Sequence, residues 1–268
     1  MDRRLIHCLA IMSLLSFLGC SGTTKDLPAK LTDLSVKVEA EHLTNLMGSQ
    51  NYTRHSIRAV ISNAKGADVE RNDVRLEVNG MPMRFRVGQG NYYDRHPYYL
   101  IDGDDGFELK PATEHRFVLT LPDGARHDVG VLRSPAALSP DQFDFAKKAP
   151  TSGPVTIAWK DLAEAAQLQI GRSHLCRGDD GQIVIEGTGT YDTDALRRTI
   201  GPGWFRSRSD RFEVPADFLV SSEKRKLLSL QADIFVTTEG RPSSAISKAS
   251  TLQATRRIQL EMEFAKVE

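Results

Sequence analysis

Asp73-Val-Arg-Leu-Glu-Val-Asn79-Gly80-Met-Pro-Met-Arg-Phe-Arg-Val87 reads as a β-hairpin, and it decides the fold class. Asn79 and Gly80 both tolerate the positive φ that a two-residue type I′ turn requires. Such a turn pairs Val78 with Met81, Leu76 with Met83 and Val74 with Phe85, all on one face. On the other face Asp73 meets Arg86 and Arg75 meets Arg84. Apolar residues on one side and charges on the other are what a sheet with one wet face needs.

A second hairpin runs from Glu114 to Leu132 around Leu121-Pro122-Asp123-Gly124. A two-residue loop would put Phe117, Leu119 and Leu121 on the opposite face from Val129 and Val131. A three-residue loop with Gly124 in the left-handed region restores one apolar face, pairing Phe117 with Val129 and His115 with Val131. Pro122 suits the first turn position.

Outward from these hairpins the chain stays strand-like. Leu34, Val36 and Val38 alternate with Ser35, Lys37 and Glu39, a half-buried strand. A polar stretch from His42 to Arg54 leads to a second candidate at Ile57–Ser62. Later strands are expected at Gln182–Glu186, Arg211–Val214, Leu227–Val236 and Thr255–Phe264. In the last of these, Ile258, Leu260, Met262 and Phe264 share a face. Short helices fit only near Asp161–Gln167 and Asp217–Lys226. Residues 134–154 carry Pro135, Pro140, Pro150 and Pro154 and read as a linker, with Phe143 and Phe145 packing on a neighbour. The expected architecture is all-β: two tandem antiparallel β-sandwich domains, 34–133 and 155–268. No solenoid-period repeat is present.

After the linker, Val155-Thr-Ile157-Ala-Trp159 alternates, and Leu168-Gln-Ile170 follows. This segment resembles the early strands of fibronectin type III and immunoglobulin-like sandwiches, in which a strand tryptophan anchors the core. The tyrosine usual in the next strand is absent, and no tyrosine corner follows. The resemblance implies a sandwich without fixing its topology.

The N-terminus has a different character. Arg3 and Arg4 precede an apolar run from Leu5 to Leu18, too short to span a bilayer, and Gly19 then meets Cys20. Leu18-Gly19-Cys20 resembles the lipobox of bacterial lipoproteins. The resemblance implies that residues 1–19 are a signal peptide and that Cys20 is lipidated as the first mature residue. Phe17 and Leu18 stand where that family usually has leucine and a small residue. An ordinary signal peptide cut elsewhere, or an uncleaved anchor, therefore stays open. Ser21 after the cysteine implies outer-membrane sorting in an enteric-type host. Residues 20–33 are small, polar and interrupted by Pro28, and read as a flexible tether. Thirteen residues from Ser21 reach about 45 Å when extended.

Composition bounds the partners. Of 35 basic and 35 acidic residues, Arg3, Arg4 and Asp2 leave with the signal, so the mature chain holds 33 and 34. Nothing in that balance favours nucleic acid. Cys8 leaves with the signal and Cys20 carries lipid, so Cys176 has no intramolecular partner.

Few residues carry candidate chemistry. Tyr92, Tyr93, Asp94, Arg95, Tyr98 and Tyr99 lie in one stretch holding four of the six tyrosines, a candidate ligand platform. Its alternative is an aromatic edge that caps the first sandwich. Asp102, Asp104 and Asp105 have carboxylates spaced as calcium ligands often are, although Asp105-Gly106 is also a turn signal. Arg177-Gly178-Asp179 spells an adhesive tripeptide but reads first as a turn. Ser221-Ser-Glu-Lys224 fits Ser-x-x-Lys without its companion motifs. His42, His55 and His174 stand isolated in this reading. Serine-hydrolase, zincin, P-loop and dinucleotide motifs are missing, and no cofactor is expected. The expectation is a lipid-anchored cell-envelope protein, a non-catalytic binding or accessory module whose partner is an envelope protein or a glycan. The alternatives are a glycan-binding or adhesive module, and a hydrolase with an unrecognised site.

Overall fold

Alternating apolar and polar residues place Leu34, Val36, Val38 and Ala40 on one side of a strand that runs on to Leu46. The structure is a computed structural model. It describes residues 22–47, 51–89, 95–146, 148–149, 154–161, 166–177, 183–186, 197–200, 211–214, 216–219 and 225–264. At 89, 95, 172–177, 183–186, 197–200, 217–218 and 225–226 it describes the backbone alone.

The strands of the first half are β1 (Thr23–Thr24), β2 (Leu34–Leu46), β3 (Tyr52–Asn63), β4 (Asp68–Val69), β5 (Arg75–Val78) and β6 (Met81–Pro82). Then come β7 (Arg84–Gln89), β8 (Arg95–Asp102), β9 (Glu114–Thr120) and β10 (Arg126–Arg133). The second half holds β11 (Phe143–Asp144), β12 (Thr156–Trp159), β13 (Ala166–Arg177), β14 (Ile183–Glu186) and β15 (Arg197–Ile200). It ends with β16 (Arg211–Glu213), β17 (Arg225–Glu239), β18 (Arg241–Pro242) and β19 (Thr251–Glu263). The fold is all-β, and its sheets pack as sandwiches.

One long sheet, ordered β1-β4-β3-β2-β19-β17-β13-β14, backs two smaller ones. The first small sheet, β18-β10-β9-β5-β6, closes a core containing Val38, Ile57, Leu76, Phe117 and Leu119. The second, β11-β12-β16, closes a core containing Ile157, Trp159, Leu168, Ile234 and Met262. The last strand, β19, pairs in parallel with β2 and antiparallel with β17. It contributes Leu252 and Ala254 to the first core and Ile258, Leu260 and Met262 to the second. The C-terminal strand thus spans both cores, so the stretch expected as the second domain, 155–268, also contributes Leu252 and Ala254 to the first. The linker is packed as well: Leu138 is buried in the second core, and Phe143 and Phe145 lie against it.

The Asn79-Gly80 turn forms with φ of 51° and 80°, and Val78 pairs with Met81 as expected. The hairpin then departs from the sequence reading. After Met83 the strand leaves for the long sheet, where Arg84 pairs with Leu100 and Phe85 with Tyr99. Arg75 pairs with Thr120 instead of Arg84. A strand that switches sheets keeps its turn but loses its distal pairs. Around Gly124 the three-residue loop forms, with φ of 85° and Leu119 opposite His127. A bulge between Asp128 and Gly130 then shifts the register, so Phe117 pairs with Gly130 and His115 with Leu132.

Neither expected helix forms where the structure describes the chain. Ala166 and Gln167 begin β13, and Ala216–Leu219 is a short 3-10 turn. Of the polar stretch after His42, the residues up to Leu46 belong to β2 and those from Tyr52 to β3. Within the expected tether, Thr23 and Thr24 pair with Asp68 and Val69, and Leu27 and Leu31 pack on the first core.

Candidate functional site

Pleating divides the long sheet into an inner face over the cores and an outer face. On β2 the outer positions are Lys37, Glu39 and Glu41. Register places Glu39 beside Arg58 of β3 and Gln253 of β19. It places Ser56 beside Asp102 and Arg58 beside Leu100 of β8. The outcome is an open groove of about 470 Å³ whose charged lining is Glu39, Glu41, Arg54, Arg58, Asp102 and Arg257.

Most of these charges are already paired. Glu41 receives Arg54 at 3.2 Å and Arg257 at 3.8 Å, and Lys37 reaches Glu39 at 2.6 Å. Arg84 bridges Asp102 and Asp105, each at 2.9 Å. Arg58 differs: it has no carboxylate within ion-pair distance among the described residues. Its guanidinium lies over the ring of Tyr98, 4.4 Å from the centroid. That contact holds the cation flat against an aromatic face and leaves its N–H edge available.

The tyrosine stretch is divided by the same pleat. Tyr98 lies on the outer face. Tyr99 lies inside, 2% exposed, with its hydroxyl donating to the Arg71 and Val74 carbonyls at 3.1 Å. Burial raises the Tyr99 hydroxyl pKa, with a smaller push from Asp73. Tyr99 is thus a core residue and no part of a platform, because neighbours in a strand point to opposite faces. Tyr92, Tyr93 and Asp94 lie outside the described residues, as do Cys20, Gly178-Asp179 and Ser221–Lys224; of Arg95 and Cys176 only the backbone is described.

The three aspartates build a turn. The Asp102 carboxylate accepts from the Asp104 amide at 3.1 Å, and Asp105 accepts from the Asp102 amide at 3.0 Å. Gly106, with φ of 74°, ends the 3-10 turn Gly103–Asp105. With Arg84 between them, Asp102 and Asp105 are engaged as cap and ion pair. No group of metal-ligating side chains is found among the described residues.

A second polar feature lies on the inner face, where the cores meet. Register aligns Arg256 of β19, His42 of β2 and His55 of β3 side by side. The two rings meet edge to face, 4.6 Å apart, which corrects the expectation that these histidines stand isolated. Arg256 is 4% exposed and donates to the Leu109 carbonyl at 2.8 Å. The Leu109 amide in turn donates to Nδ1 of His55 at 3.3 Å. Nδ1 of His42 and Nε of Arg256 are buried without a hydrogen-bond partner among the described residues. Burial, then Arg256, then His55 lower the His42 pKa to about 4. Burial also lowers that of His55, with Glu108 opposing.

Sequence reasoning missed this layer because it ended the first strand at Glu39. The signal was present, since Leu34, Val36, Val38, Ala40 and His42 continue one alternation.

No protein-family model matches the chain, and no curated relative matches it.

Proposed function

We propose that the protein is a lipid-anchored envelope module that binds a partner protein, without catalysis, through the outer face of its long sheet. The observation that carries this reading is the groove lined by Glu39, Glu41, Arg54 and Arg58, with Arg58 laid over Tyr98. Arginine and tyrosine are enriched at protein interfaces, and interspersed charges of both signs suit a polar partner surface. A sugar platform needs free aromatic faces. Here Tyr98 is covered on one face by Arg58 and Tyr99 is buried, which favours a protein over a glycan.

The anchor rests on the lipobox-like Leu18-Gly19-Cys20 and the signal-like run before it. Thr23, the first strand residue, is the third after Cys20, a span of about 10 Å when extended. With lipid on Cys20 the body sits close to the bilayer, rather than at the end of a 45 Å tether.

Photo-crosslinking from the groove in intact cells tests the reading. A crosslinker replacing Thr255 is expected to capture one envelope protein reproducibly, and one replacing Asp123, on the β9–β10 turn, is not. Equal capture from both positions, or none from Thr255, contradicts it.

A further inference from the structure

The groove is taken up by the proposed binding function, whereas the buried layer of Arg256, His42 and His55 is not. Its geometry is specific. Leu109 is held through both its backbone groups: its amide donates to Nδ1 of His55, and its carbonyl accepts from Arg256. The Leu109 side chain is fully buried in the first core, with Phe107 beside it. Phe107–Leu109 is not a strand; besides these two bonds, the Phe107 amide donates to the Asp102 carbonyl at 3.3 Å, and the Phe107 and Leu109 side chains pack into the first core.

One of the two bonds depends on protonation. A neutral imidazole accepts at one nitrogen and donates at the other, but an imidazolium only donates. The Leu109 amide needs the Nδ1 lone pair of His55. A proton there turns acceptor into donor and sets two N–H groups against each other.

We propose that His55 and Leu109 form an acid-sensitive latch that releases residues 107–109 from the long sheet when His55 takes a proton. The groups that face the latch are these. His42 stands against His55 from β2, and Arg256 adds a permanent positive charge from β19. Glu108, on the latched segment itself, favours the protonated ring. Val236 of β17, opposite Arg256, adds no charge. Burial, with the Arg256 charge, outweighs one carboxylate, so the latch is closed at neutral pH and opens under acid.

Amide hydrogen exchange on the full mature protein tests the latch without any ligand. The Leu109 amide is followed from pH 7 to pH 4, corrected for its intrinsic exchange rate. Protection of Leu109 is expected to fall at least tenfold while the amides of the long-sheet strands hold. In His55→Asn, whose side-chain oxygen takes the place of Nδ1 and does not titrate in this range, it is expected to stay level. Constant Leu109 protection in the wild type overturns the proposal. So does a loss that coincides with that of the strands, which is ordinary acid unfolding. The wild-type comparison decides even where His55→Asn does not fold.

Discussion

The guanidinium carbon of Arg58 lies 4.4 Å from the centre of the Tyr98 ring, on the outer face of the long sheet. Both side chains project away from the cores, so their contact contributes little to folding. Stacking of this kind at an exposed site is worth about 0.5–1 kcal/mol. Arg58→Ala is expected to leave the unfolding free energy within about 1 kcal/mol of wild type and to abolish capture of the partner from Thr255. Denaturant titration and crosslinking yield measure the two halves separately.

Tyr99, one residue further along, predicts the reverse. Tyr99→Phe removes a hydroxyl that donates to two buried carbonyls and is expected to cost about 1 kcal/mol. Tyr99→Ala leaves a cavity against Phe85 and is expected to cost about 3–5 kcal/mol. Neither alters capture so long as the protein is folded, which a melt run beside the crosslinking assay checks.

His42 makes stability depend on pH. Its pKa is about 4 in the folded protein and near 6.5 once exposed, so the unfolded chain binds the proton first. Folding stability is therefore fully present above about pH 6.5 and is lost as pH falls toward 4. Each pH-unit of displacement corresponds to about 1.4 kcal/mol, which gives a ceiling of about 3 kcal/mol. His42→Leu is expected to flatten this slope. Unfolding free energies at several pH values between 7.5 and 4 measure it.

Two glycines separate backbone strain from crowding. A Cβ on Gly130 would sit 2.4 Å from the Arg241 carbonyl oxygen, with φ at 142°. That is where β18 crosses β10. Gly130→Ala is expected to cost about 2–4 kcal/mol. Gly124 has φ of 85° but open space around it, and Gly124→Ala is expected to cost about 1 kcal/mol. Thermal melts of the two variants side by side make the comparison.

Local chemistry was legible in the sequence, and long-range pairing was not. Asn79-Gly80 and Pro122-Asp123-Gly124 announced their turns because φ preferences act within a few residues. The alternation of Ile258, Leu260 and Met262 announced a buried face for the same reason. That β7 leaves its hairpin partner for β8 depends on contacts made elsewhere; Pro82, which cannot donate to a ladder, marks a break without naming the new partner. Nor does the sequence show that β19 pairs with β2, since its apolar alternation fits any neighbour. The groove follows from that pairing: Arg257 and Glu41 lie more than 200 residues apart in sequence and 3.8 Å apart in the fold. Arg256 was hidden among polar neighbours, because a buried arginine looks in sequence like any charge on a wet strand.

Binding of a protein partner at the envelope through the outer face of the long sheet is what we propose. Crosslinking from Thr255 in intact cells, with Cys20→Ser and Arg58→Ala forms run in parallel, tests it most directly. One recurrent envelope protein is expected to be captured by the native form, lost in Arg58→Ala and reduced in Cys20→Ser. Capture that is indifferent to Arg58, or no protein captured at all, would contradict it.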